Sequence, residues 1–242
     1  MNEVIKQLYD RKSVRAFLDK EIDEEIVQEI LCSATMAPTA GNQQLYSIIR
    51  VRDQELLNRL ADSCDHQPFI ATGKLVLVFC ADCLKWHQAF VDCGINPRSP
   101  TLGDLFIAID DALIAAQNTV VAAESYGIGS CYIGDIMENI ENLREILSLP
   151  KYVFPAALLV FGYPTEQQKE RKKPSRVDIK YIVHDDKYKK LNNEELKDIF
   201  SRGRNDETYK ESMKKFYNFK YSSDFSSEMT RSIKEYLKDF NQ

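Results

Sequence analysis

GDLFIAIDDALIAAQNTVVAAES, residues 103–125, is the stretch on which the fold turns. Leu105, Ile109, Leu113, Ala116, Val120 and Ala123 fall at helical spacing, and further alanines fill much of the remaining circumference. A helix so apolar is buried, either in a core or along a subunit interface. Gly127-Ile128-Gly129 stops it. Downstream, residues 130–134 have the pattern of a short strand and residues 138–147 that of a helix. Val153 to Gly162 forms a buried strand ended by Tyr163-Pro164. Upstream, Leu75 to Cys80 is a continuous apolar run suited to a strand covered on both faces, and Leu45 to Val51 is a shorter strand. Residues 56–63 and 22–36 are helical by spacing, the latter with acidic residues in its first turn and Pro38 beyond its end. Another short helix precedes Arg11. Strands and helices alternate without regular βαβ units, which predicts an α+β fold, a sheet wrapped by helices. From about residue 165 the chain turns polar and charged. It keeps a short apolar-bearing segment at Leu196–Phe200, a loop at 201–206 and an amphipathic segment from Ser227 to Phe240. The predicted division is a core over 1–164 and an excursion or arm over 165–242.

Composition narrows the function classes. A chain of 242 residues with 44% apolar and 10% aromatic side chains can bury a large core. A net charge of −5 gives no overall basic character, so a nucleic-acid partner is not expected. The N-terminus lacks a basic segment followed by an apolar one, and apolar runs such as Leu75 to Ala81 are too short to span a bilayer. No membrane partner is therefore expected. Six scattered cysteines suggest reduced thiols in a cytoplasm. Cys80-Ala-Asp-Cys83 has the spacing of a redox motif, but the simpler reading is two ordinary thiols at a strand end.

Two basic clusters stand out. Arg11-Lys12-Ser13-Val14-Arg15 can turn two guanidinium groups and a hydroxyl toward one anion, and the planar guanidinium fork suits phosphate. Lys169-Glu-Arg-Lys-Lys173, followed by Pro174, Ser175 and Arg176, is a second, distant one. No glycine-rich dinucleotide fingerprint or P-loop is present, and no metalloprotease motif. With only His66, His87 and His184, neither a metal site nor a serine triad has support.

Taken in order, several motifs resemble the nitroreductase family. They are Arg11-Lys-Ser-Val-Arg-Ala-Phe17, then Ala37-Pro-Thr-Ala-Gly-Asn-Gln-Gln44, then Asp111-Ala112 and Ala115-Ala-Gln-Asn118 within the long helix. Ala122-Ala-Glu-Ser-Tyr-Gly-Ile-Gly129, Tyr132-Ile-Gly134 and Phe161-Gly-Tyr-Pro164 follow. The resemblance covers about residues 3–205. It is closest to the subgroup of NADPH-dependent, oxygen-insensitive nitroreductases and NAD(P)H:flavin oxidoreductases. It implies a mostly antiparallel sheet wrapped by helices and an intertwined homodimer, with the 165–242 stretch completing the dimer. FMN is the implied cofactor, and NADPH or NADH the implied hydride donor.

The resemblance also assigns residues. Arg11 and Ser13 would hold the FMN phosphate, with Lys12 in the same motif and Arg15 nearer the ribityl and pyrimidine edge. Thr39 would lie by the flavin, in a 38–44 loop contributed by the neighbouring subunit. Gln67, beside Phe69, would contact the pyrimidine edge. Tyr132, Ile133, Gly134 and Asp135 would run along the isoalloxazine. Arg176 would be a phosphate ligand with Lys173 as helper, in a loop that departs from the subgroup by reading Lys-Pro-Ser-Arg. Asp135 stands where close relatives commonly carry glycine. Arg202 and Arg204 would meet the NADPH phosphate, although the chain diverges after 206. No side chain is expected to act as a nucleophile. Hydride would pass through flavin N5, in a ping-pong sequence, to a small acceptor such as a nitroaromatic, a quinone or free flavin. The alternatives are a non-catalytic flavin-binding protein and a flavin-dependent dehalogenase or flavin-consuming enzyme on the same scaffold.

Overall fold

The computed structural model describes residues 1–201 and 205–240. It contains two compact units. One comprises Met1–Arg171 together with the chain from Met229 onward, and the other is Lys172–Glu228. The first opens with helices α1 (Glu3–Asp10) and α2 (Glu24–Thr35), strand β1 (Tyr46–Val51), α3 (Gln54–Ser63) and β2 (Leu75–Asp82). It continues through α4 (Leu84–Asp92), α5 (Leu102–Ser125), β3 (Gly129–Ile133), α6 (Ile140–Leu147), β4 (Val153–Gly162) and α7 (Glu166–Glu170). The second unit holds α8 (Asn193–Ser201) and α9 (Asp206–Lys220), and α10 (Asp224–Leu237) leads back into the first. The sequence pattern gives no expectation for α4 or α9.

The four strands pair antiparallel in the order β1-β2-β4-β3. Both central strands are buried throughout, as their continuous apolar runs require. Leu75, Leu77, Phe79 and Ala81 of β2 face a core built with α2 and α5, while Val76, Val78 and Cys80 face a second core with α3 and α6. In β4 the alternation breaks. Phe154, Ala156, Leu159 and Phe161 all face the first core, because a bulge shifts the register between Phe79↔Ala157 and Cys80↔Pro155. Pro155 sits at this bulge, opposite Cys80, a position in a sheet where proline is tolerated.

α5 is the central helix. The Asp104 carboxylate accepts the Thr101 backbone N–H at 2.7 Å at its start, and Gly127, at φ 68°, ends it. Leu105, Ala108, Ala112, Ala115, Ala116, Val120 and Ala123 form its buried face, and the small side chains let the sheet approach closely. By length and hydropathy this helix would also cross a bilayer, against the expectation that no apolar stretch is long enough. Its alanine face lies in the core instead. Phe106, Ile107 and Ile114 on the other face are exposed.

The amphipathic C-terminal segment, expected as an arm, returns to the first core. Tyr236 and Phe240 are buried there, and Ser232 donates to the Met137 carbonyl at 2.7 Å and accepts the Ile140 N–H at 3.1 Å. The polar composition of the intervening chain hides this return. Within the second unit α8 and α9 bury no side chain, and surface pairs such as Lys197–Asp206 and Tyr181–Asp198 link neighbouring segments.

Residues 13–18 dock along the end of the sheet. The Val14 N–H donates to the Ser130 carbonyl at 2.9 Å, the Leu18 N–H to Tyr163 at 2.8 Å and the Thr165 N–H to Ala16 at 3.2 Å. Two glycines permit this approach. A Cβ on Gly129 would sit 2.5 Å from Val14 Cγ2, and one on Gly162 would sit 2.7 Å from the Phe17 ring. Gly129→Ala is therefore expected to cost about 1–3 kcal/mol of stability through overpacking. Gly103→Ala, whose Cβ would meet nothing nearer than 3.9 Å, serves as control. Urea denaturation of the two variants checks this.

Candidate flavin site

The N-terminal motif has no strand or helix of its own beyond the first residue. Arg11 caps α1, its N–H donating to Gln7 O at 2.8 Å, and the following residues run extended beside β3. In an extended segment alternate side chains point to opposite faces. Val14 is buried inward, so Ser13 and Arg15 face the other way. There they meet β3. Burial pushes the Cys131 thiol up, opposed by the Arg15 and Arg11 charges and by hydrogen bonds from Ser13 and Arg15. Burial likewise pushes the Tyr132 phenol up to about 12, with the Arg11 charge opposing. The Arg11 and Arg15 charges and the Ser13 hydroxyl thus act on the Cys131-Tyr132 segment, next to the point where Ser13 bridges Ser130. Neither Arg11 nor Arg15 forms a salt bridge among the described residues. A pair of un-neutralised forks beside a hydroxyl is a donor set that fits a phosphate.

Lys12 does something else. Its ammonium donates to the backbone carbonyls of Lys169 and, at 2.6 Å, Arg171, closing the C-terminal end of α7. The Arg171 guanidinium donates in turn to the Ser13 carbonyl, and the Arg15 N–H donates to Gln168 Oε1 at 3.3 Å. Gln168 and Arg171 therefore brace the motif. Sequence reasoning passed over them, because a basic run reads as a charge cluster and does not reveal which cation reaches back 158 residues to a carbonyl.

Gln67 lies on a tight corner after α3. Asp65 and His66 take left-handed backbone angles, φ 59° and 50°, and the Gln67 N–H donates to Ala61 O at 2.9 Å. Its side-chain Nε2 donates to Cys64 O at 2.9 Å and to Asp135 Oδ2 at 2.5 Å. Phe69, half-buried, packs on the second core. Ile133 is buried on the same side, the Tyr132 hydroxyl faces Gln117 Oε1 at 3.4 Å, and Gly134 leads into a 3-10 turn at Asp135–Met137. The residues expected at the pyrimidine edge and those expected along the ring are thus joined by the Gln67–Asp135 contact.

The 38–44 loop is held from beneath. Asp111, on the buried face of α5 and only 2% exposed, accepts the Ala40 N–H on Oδ1 at 2.9 Å and the Leu45 N–H on Oδ2 at 3.1 Å. Between these points Gly41, Asn42 and Gln44 are left-handed, at φ 55°, 56° and 51°. Thr39 Oγ1 accepts the Gln44 N–H at 3.3 Å. Left-handed non-glycine residues cost of order 1–3 kcal/mol each, and they persist where surrounding structure holds them. The sequence hinted at Asp111, since a carboxylate amid an apolar helix needs partners, but its partners lie 66 and 71 residues away.

Lys173 and Arg176 belong to the second unit, where Arg176 is exposed. Arg202 and Arg204 lie outside the described residues. Cys83 directly precedes α4 at the end of β2, the placement a redox pair would need. Both thiols are free and buried, however, and burial pushes each up to about 12. They are poor nucleophiles at neutral pH.

The model of the nitroreductase family matches residues 8–163. The chain is 32% identical over 238 residues to an FMN reductase (NAD(P)H) of Bacillus subtilis (strain 168), covering 98% of this chain and 91% of that one. It is 30% identical to a Cr(VI) reductase of Pseudomonas sp. (strain G-1), covering 97% and 92%. The solved structure of NfrA2 from B. megaterium superposes with a TM-score of 0.85 at 27% identity, over the whole of both chains. The NADPH:FMN oxidoreductase of Vibrio harveyi, solved with NAD+, superposes with a TM-score of 0.76 at 26% identity, over 98% and 97%.

Two measurements probe this geometry. In Asp111→Asn the amide nitrogen must face one of the two backbone N–H groups, so about 1–3 kcal/mol of stability is lost. Hydrogen exchange at Ala40 and Leu45 accelerates accordingly. With iodoacetamide at pH 8, the exposed Cys32 and Cys93 are alkylated first, while Cys80 and Cys83 label only on unfolding, as peptide mass mapping would read.

Proposed function

The chain belongs to the nitroreductase family, and on that premise we propose that it reduces a small acceptor at an FMN held by the Arg11–Arg15 motif and the β3 segment. It is an FMN-dependent NAD(P)H oxidoreductase. The observation that carries the site assignment is the docking of the Arg11–Arg15 motif along β3, through the Ser13–Ser130 bridge and the Val14 N–H to Ser130 bond, with neither arginine in a salt bridge among the described residues.

When bound, FMN supplies the hydride-accepting and hydride-donating chemistry, so the protein must bind, orient and tune it. Arg11 and Ser13 hold the phosphate, in a motif that Lys12, Gln168 and Arg171 keep in place. Arg15 lies toward the ribityl and pyrimidine edge, where its positive charge favours the more negative, reduced form of the cofactor. Gln67 meets the pyrimidine edge with Phe69 beside it, and Tyr132 to Asp135 line the ring.

The working protein is a homodimer in this reading. The exposed Phe106, Ile107 and Ile114 of α5 supply apolar surface for the interface, and Thr39 in its strained loop approaches the partner's flavin. NAD(P)H and the acceptor use one open face in turn, which makes the kinetics ping-pong. Nitroaromatics, quinones and free flavin are the acceptor classes. Arg202 and Arg204, outside the described residues, are the proposed ligands of the NADPH phosphate. The six free thiols suit the reducing cytoplasm.

Purified protein reconstituted with FMN is expected to be yellow, to bleach anaerobically with NADPH or NADH, and to give parallel double-reciprocal plots with a quinone acceptor. Arg11→Ala weakens FMN binding at least tenfold by fluorescence titration, since a charge-assisted phosphate contact is worth about 1.5–3 kcal/mol. A colourless protein that binds no FMN would overturn the reading.

A further inference from the structure

The Gln67 amide has two N–H donors and one carbonyl acceptor. Nε2 is engaged twice within the chain, by Cys64 O at 2.9 Å and by Asp135 Oδ2 at 2.5 Å. Both partners are acceptors, so they fix which end of the amide is nitrogen. Both donors are therefore used, and Oε1 is the one amide atom left for a ligand. A pyrimidine-type edge offers one N–H donor flanked by two carbonyl acceptors. Locked in this way, Gln67 can serve only the N–H.

Asp135 also brings charge. It follows Gly134 directly, at the start of the 3-10 turn that continues the β3 segment. Its field is felt locally, since burial first, and then the charges of Asp135 and Glu138, push the Cys64 thiol up. Glu138 is only 5% exposed. The site proposed to hold FMN, to which Arg11 and Arg15 bring positive charge, thus also carries a carboxylate beside the amide assigned to the ring.

We propose that Asp135 is a tuning residue for the bound FMN, fixing Gln67 with its carbonyl oxygen as the ligand-facing atom and placing negative charge at the pyrimidine edge, which lowers the cofactor's midpoint potential. This rests on the flavin placement proposed above. Reduction adds negative charge to the ring system, so a nearby carboxylate disfavours the reduced form while barely affecting the neutral, oxidised ring. Arg15 acts in the opposite sense, and the potential reflects the balance of the two. The enzyme is thereby poised as a stronger reductant, suited to acceptors of low potential.

The test compares wild type, Asp135→Asn and Asp135→Gly, with the exposed Glu25→Gln as a charge control. FMN affinity is read by fluorescence titration and midpoint potential by dye equilibration. Asparagine keeps an oxygen to accept from Gln67 and removes only the charge. Asp135→Asn is expected to bind FMN normally and to favour reduced over oxidised FMN by about tenfold relative to wild type. That corresponds to a positive shift of about 30 mV for a two-electron couple. Asp135→Gly shifts the potential in the same direction and also weakens FMN binding severalfold, because Gln67 is no longer held. Glu25→Gln changes neither. If FMN-loaded Asp135→Asn has the wild-type potential, the tuning role is overturned while the flavin site stands. A wild type that binds no FMN overturns both.

Discussion

The site depends on how closely residues 13–18 lie against the end of the sheet. This segment has no regular structure of its own, and its position is set by backbone hydrogen bonds to Ser130 and Tyr163 and by two absent side chains, at Gly129 and Gly162. Val14 and Phe17 fill the space that those glycines leave. Once Val14 is pegged inward, the extended geometry turns Ser13 and Arg15 outward together. The shared orientation of the Ser13 hydroxyl and the Arg15 guanidinium is therefore a consequence of packing on the opposite side of the same chain.

Rigidity behind the site comes from the sheet. β2 and β4 are buried on both faces, by α2 and α5 on one side and by α3 and α6 on the other. The bulge at Phe79/Cys80 lets β4 keep Phe154 and Phe161 in the same core despite their odd spacing. From this base the chain supports two strained corners, 41–44 and 65–67. Asp111 holds the first through two backbone N–H groups. The second is held by Gln67 itself, whose backbone and side chain bond back to α3, to Cys64 and to Asp135. Left-handed backbone in both loops is maintained by buried polar contacts that local sequence preference would not supply.

Electrostatically, the candidate site combines the Arg11 and Arg15 charges with the carboxylate of Asp135 beside Gln67. Burial raises the Cys131 thiol and the Tyr132 phenol, which keeps both neutral, so neither serves as a counter-ion to the guanidinium groups of Arg11 and Arg15. Such a patch is stable at the protein surface and becomes most favourable when an anion enters. The two basic clusters divide the labour. Arg171 braces the motif through the Ser13 carbonyl, and Lys12 is drawn away from any ligand to the carbonyls at the end of α7.

The sequence by itself determined the elements whose signal is local. The buried helix over 103–125, the strands at 75–80 and 153–162 and the α+β order all follow from apolar periodicity, because side-chain burial repeats with the backbone period. The ordered motifs likewise pointed to the family and to Arg11, Ser13 and Arg15. Only the tertiary structure decided what depends on partners distant in sequence. It determined that Asp111 carries the 40–45 loop, that Lys12 closes α7, that Asp135 reaches Gln67, and that the segment ending in Tyr236 and Phe240 returns to the core across a polar excursion. These outcomes are set by which groups meet after folding. A carboxylate or ammonium carries the same letter in the sequence whether it faces solvent, a ligand or a buried N–H.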